Sequence, residues 1–128
     1  MKIYCGTDII EIKRIKESIE DKKMGKAFLE RVYTSKEIEY CESKKTQKYQ
    51  HYAARFAAKE ATFKAISEQI SDKYSINWKD IEVINNEQGR PQLNLIGIHI
   101  KDDVENIDLS LSHCKEYAVA NVTLLRKC

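Results

Sequence analysis

Glu60 and Lys64 are the residues whose placement first invites chemistry. They belong to Tyr52–Ile66, a stretch dense in alanine and free of glycine and proline, which predicts a helix. At about 100° per residue, Ala53, Phe56, Ala57, Glu60 and Lys64 share one side, with Phe63 at its border. A side rich in alanine and phenylalanine normally meets a core, yet this one carries a carboxylate with a lysine one turn further on. Two readings are open. One is an ordinary surface Glu–Lys pair, contributing a few tenths of a kcal/mol. The other is a metal-binding carboxylate beside a phosphate-binding lysine, which requires a second acid and further cations. Arg55 and Lys59 project to the other flank, where solvated charge is the simplest expectation.

Asp8 is the candidate second acid. It follows a short β-prone segment, Lys2–Cys5, and a glycine, and stands among Thr7, Ile9 and Ile10. An acid at a strand end either caps the next helix or serves as a ligand. Cations occur in two places. Lys13, Arg14, Lys16, Lys22, Lys23 and Lys26 surround an amphipathic Ile12–Glu20, a face suited to an acidic partner. Lys44, Lys45 and Lys48 lie in a polar loop, Ser43–Gln50, that enters the central helix, where backbone amides favour anions.

These residues need a scaffold. Phe28–Tyr33 reads as a helical turn, and Thr34-Ser35-Lys36-Glu37 as a capping box opening a helix to about Glu42. Beyond Ile66, residues 67–77 read as a helix end and a loop. Asp80–Ile84 alternates as a strand, Asn85–Pro91 is a turn by composition, and Leu93–Ile96 returns as its partner. After a polar connection over 102–106, Asp108–Ser112 and Tyr117–Leu125 complete a further hairpin, with His113 at the end of a strand. The result is α+β: a helical N-terminal half packed on a small antiparallel sheet, which Lys2–Cys5 joins. One domain over 1–128 suits the length, and no internal repeat breaks it.

Composition narrows the classes. A 42% hydrophobic and 33% charged chain is that of a soluble globular protein. A net charge of +2 and a pI near 8.3 are too mild for general nucleic-acid binding. No apolar run reaches membrane-spanning length and no leader pattern opens the chain, so a cytoplasmic location is expected. Cys5, Cys41, Cys114 and Cys128 lack metal-type spacing and form no cluster with His51, His99 and His113, so free thiols are expected and zinc is not. A metal, if used, would be a hard cation on carboxylates.

Together, four segments resemble the holo-acyl-carrier-protein synthase family of 4′-phosphopantetheinyl transferases. They are Gly6-Thr7-Asp8-Ile9 with Arg14-Ile15, Arg55-Phe56-Ala57-Ala58-Lys59-Glu60-Ala61 with Lys64-Ala65, Gly89-Arg90-Pro91, and Ser110-Leu111-Ser112-His113 with Ala118 and Ala120. The second is the most specific, and the order and spacing of all four carry the resemblance. It implies transfer of the 4′-phosphopantetheine arm of coenzyme A to a serine of apo acyl carrier protein, releasing adenosine 3′,5′-bisphosphate. It further implies Mg²⁺ on Asp8 and Glu60, and homotrimers with active sites between subunits. Lys64 would hold the phosphates, and either it or a water on the metal would take the serine proton. His113 and Arg55 would meet coenzyme A, Gly89 and Pro91 would line its adenosine end, and Arg14 would face the carrier protein. The chain departs from the pattern at Gln88, where asparagine is usual, and at Cys114, where a small hydroxyl residue is usual. The rivals are a basic binding module for an acidic protein or RNA, which needs neither acid, and a metal-dependent phosphohydrolase, which shares both.

Overall fold

The computed structural model describes residues 1–70, 76–98, 100 and 103–127. His99, Cys128 and parts of the connections expected over 67–77 and 102–106 lie outside them. The architecture is α+β. Strand β1 (Lys2–Glu11) is followed by helices α1 (Ile12–Glu20), α2 (Gly25–Val32), α3 (Ser35–Glu42) and α4 (Lys48–Ile66). Strands β2 (Ile81–Asn85), β3 (Pro91–Leu95), β4 (Val104–His113) and β5 (Tyr117–Arg126) complete the order. β1 and β4 flank β5 in an antiparallel sheet, and β2 and β3 form a separate hairpin.

Several boundaries differ from the sequence-based expectation: α2 starts at Gly25 rather than Phe28, and β4 at Val104, inside the connection expected over 102–106, because its pairing with β5 continues to Arg126. β1 runs through Glu11 rather than stopping at Cys5, pairing with β5 from Lys2 opposite Arg126 to Glu11 opposite Tyr117. Asp8 therefore lies within a strand, opposite Ala120, and does not cap α1. The residue preceding α1 is Glu11, whose side chain makes no capping bond. α4 begins at Lys48, so that lysine is in the helix rather than upstream of it. Pro91 opens β3 instead of ending the turn, a first-strand position that proline tolerates.

α4 is the axis of the molecule. Its alanines are too small to hold neighbours away, and the sheet meets it with Ala118 and Ala120, all buried. Gly6 marks the closest approach. A Cβ there would stand 1.9 Å from the Ala61 carbonyl oxygen, so only glycine lets β1 cross α4 at this point. That crossing brings Asp8 to the Glu60 side of the helix. Above it, Tyr33 and Tyr52 pack edge to face at 4.9 Å, and the Tyr33 hydroxyl donates to the Tyr52 carbonyl at 2.8 Å.

Candidate active site

Asp8 and Glu60 line one open cavity of about 340 Å³ together with Ile10, Arg14, Phe28 and Phe56. Two acids far apart in sequence are thus neighbours in space, one from β1 and one from α4. Burial pushes the Glu60 carboxyl above its usual range, the Asp8 carboxylate pushes it the same way, and Lys64 offsets part of the rise. Among the described residues the Glu60 side chain accepts no hydrogen bond. Such a half-buried acid next to another acid is stabilised by an incoming cation.

Lys64 does not pair with Glu60, although the two are four apart on the helix. Its Nζ reaches β1 instead, 3.2 Å from Asp8 Oδ1 and 3.0 Å from the Thr7 carbonyl. It remains about half exposed while Asp8 is largely covered. Arg14, exposed on α1, stands on the rim of the same cavity. Asp8, Glu60, Lys64 and Arg14 are therefore brought together.

Arg55 and His113 are elsewhere. Arg55 is not solvated but buried. Its guanidinium lies 4.1 Å from the Tyr40 ring centre, one Nη donates to Asn85 Oδ1 at 2.6 Å, and its Nε has no hydrogen-bond partner among the described residues. Asn85 in turn donates to the Gly89 carbonyl at 2.9 Å and stands opposite Pro91. Gly89 has φ of 82°, a left-handed geometry that suits glycine. Arg55 is thus tied to the Gly89–Pro91 turn. The His113 ring lies 5.8 Å from that of His51, which packs edge-on against Tyr40 at 5.6 Å. Burial holds the His51 imidazole down to about 4, and Arg55, His113 and Lys44 act in the same direction. Lys44 lies 4.8 Å over Tyr40, whereas Lys48 is engaged by Glu42 at 3.2 Å. This second cluster is cationic, with an unused donor.

The two clusters occupy opposite faces of α4. Nine residues separate His51 from Glu60, which is about half a turn around the helix and about 14 Å along it. One copy of the chain does not bring His113 and Arg55 to the Asp8–Glu60 cavity.

His51, Asn85 and Tyr40 were not singled out by the sequence. The available signal was His51 four residues before Arg55, hence beside it on a helix. Lys59, expected to be solvated, is 1% exposed and ion-paired with Glu37 at 2.8 Å. Burial overrides the outward tendency of a lysine because Glu37 is buried with it. Among the described residues, no three His, Cys, Asp or Glu side chains converge as a metal cage. Cys5, Cys41 and Cys114 are free thiols.

The 4′-phosphopantetheinyl transferase superfamily signature matches residues 4–122. A holo-[acyl-carrier-protein] synthase of Ruminiclostridium cellulolyticum is 46% identical over 124 residues, covering 94% of this chain and 90% of that relative. One from Solibacter usitatus is 41% identical, covering 97% and 98%. Among solved structures, the Bacillus anthracis holo-(acyl-carrier-protein) synthase in complex with CoA (3′,5′-ADP) is 36% identical with a TM-score of 0.72, covering 97% and 96%. An ACPS–CoA complex from Chronobacterium ammoniagenes reaches a TM-score of 0.81 at 26% identity and covers both chains fully. The chain belongs to the 4′-phosphopantetheinyl transferase superfamily.

Proposed function

We propose that this transferase moves the 4′-phosphopantetheine arm of coenzyme A onto a serine of apo acyl carrier protein, as a single domain over 1–128 and with Mg²⁺ held between Asp8 and Glu60. The observation that carries the reading is the shared cavity of these two acids, one with a raised proton affinity and no hydrogen-bonding partner among the described residues. Two carboxylates with room for water and phosphate oxygens suit Mg²⁺ better than a closed cage would. When bound, the ion offsets the charge of the diphosphate.

The chain's own residues do the rest. Lys64 offers an ammonium beside Asp8 for the phosphates. Arg14 on the cavity rim meets the acidic carrier protein and brings its serine to the reacting phosphorus. The serine hydroxyl gives its proton to water in the open cavity, and its oxygen bonds to that phosphorus as the bond to adenosine 3′,5′-bisphosphate breaks, the bisphosphate leaving with the electron pair. Arg55, His113, His51 and Lys44 supply cationic and donor groups for the nucleotide end, and Gly89 and Pro91 border it.

Because those groups lie across α4 from the acids, the site is completed by a second copy in a homotrimer. The outer face of the β1–β5–β4 sheet supports that assembly: Ile3 and Ile9 are each 63% exposed on it. No helix among the described residues is long and apolar enough to cross a membrane; the same reading, through its carrier-protein partner, puts the reaction in the cytoplasm.

Incubation with coenzyme A, Mg²⁺ and apo acyl carrier protein, followed by intact mass, tests the reading. The carrier protein should gain one phosphopantetheine. Hydrolysed coenzyme A with an unmodified carrier would mean a phosphohydrolase. Binding without any chemistry would mean a docking module.

A further inference from the structure

Lys59 precedes Glu60 on α4 and uses its charge in another way. Its ammonium donates to Glu37 Oε1 at 2.8 Å, to the Trp78 carbonyl at 3.1 Å and to the Ile81 carbonyl. All three donors are spent, and on three different parts of the fold: α3, the turn before β2, and β2 itself. Glu37 is equally occupied. It closes the capping box with the Thr34 amide at 3.0 Å and accepts from the Val83 amide at 3.0 Å.

Two of the carbonyls bound by Lys59 belong to Trp78 and Ile81, and those residues line a second cavity of about 340 Å³, whose floor is Lys59, Glu60 and Phe63. Trp78 is also fixed from its ring side, stacked on Phe56 at 4.9 Å. Phe56 in turn lines the cavity shared by Asp8 and Glu60. Glu60 therefore stands between two cavities, and the wall of one hangs on Lys59. An apolar pair of similar volume can be as stable as a buried ion pair. What it cannot do is bind three fixed acceptors at once.

We propose that Lys59 is a positioning residue: it pins the Trp78–Ile81 segment as the wall of the cavity beside Glu60, and so fixes where substrate groups next to that carboxylate sit. The role in turnover rests on the transfer reading above; the role in holding the wall does not.

The test uses Lys59→Met and the double variant Glu37→Gln/Lys59→Met. The double variant removes both buried charges, and glutamine still serves the capping box. Trp78 is the only tryptophan of the chain, so its emission reads the wall directly without substrate. In a variant with native circular dichroism, the emission should shift to longer wavelength and acrylamide quenching should rise. In the carrier-protein assay, kcat should fall about tenfold or more, while KM for the carrier stays within about twofold because Arg14 is on the other cavity. A folded variant with unchanged emission and quenching overturns the wall, and one with unchanged kcat overturns the positioning role. If neither variant folds, Lys59 is structural only and the proposal is wrong. Failure of the wild-type chain to modify any carrier would instead strike the transfer reading, with the emission comparison still judging the wall.

Discussion

Lys59 and Glu60 are adjacent in sequence and opposite in their treatment of charge. Lys59 is sealed, with every donor matched by Glu37 or a backbone carbonyl. Glu60 is left open, beside Asp8 and without a hydrogen-bonding partner among the described residues, at a cost visible in its raised proton affinity. A matched charge specifies geometry, while an unmatched one holds free energy that a ligand can release. The difference separates charge that builds the fold from charge that awaits a substrate.

The sharpest way to break this contrast is Glu60→Gln. The carboxylate is removed with little change of shape, so the fold should survive while carrier modification with Mg²⁺ falls about 10³-fold. Full activity in a folded variant would take Glu60 out of the mechanism. The next test concerns the two faces of α4. Glu60→Gln and His113→Ala should each be weak alone. Co-expressed, they should regain activity, because about a quarter of the interfaces in a randomly mixed ring join an intact acid face to an intact histidine face. If one copy held a whole site, the mixture would never exceed the sum of its parts.

How far all this was legible in the sequence depends on the range of the interactions. α4 was readable because alanine propensity is local. So was the capping box, whose two bonds span three residues. Local pattern ends β1 at Cys5 because Gly6 and Asp8 interrupt an apolar strand pattern. What extends it is pairing with β5, more than a hundred residues away. A separation of 56 residues likewise hides the Lys64–Asp8 contact, since helical spacing points Lys64 at Glu60. Periodicity assigns charges outward by default and so predicts a solvated Lys59, whose partner Glu37 is on another helix. Asp8 and Glu60 were tied together by family resemblance, not by any spacing. Their convergence depends on Gly6 letting β1 cross α4.

A smaller effect is expected at the rim. Arg14 is exposed and near the open acids, so Arg14→Glu should raise KM for the carrier protein about tenfold at low ionic strength. The defect should shrink as salt screens both proteins. No change at low salt would remove α1 from the docking surface.

The smallest effect is on stability, and its sign is informative. Glu60 has a folded pKa above its unfolded one, chiefly from burial and then from Asp8. The folded chain thus holds this proton more tightly than the unfolded chain does. Its contribution is fully present below the unfolded pKa and is lost as pH rises through the folded value. Above the folded value, where Glu60 is ionised, its charge therefore opposes folding. Glu60→Gln removes that opposition and should raise Tm by about 2 °C at pH 7 without Mg²⁺, the gain vanishing in acid. Mg²⁺ should stabilise the wild-type chain and leave the variant nearly unmoved, because the ion acts through the charge that has been removed. A lower Tm for Glu60→Gln at pH 7 would mean that Glu60 is matched after all, and that its charge resembles that of Lys59.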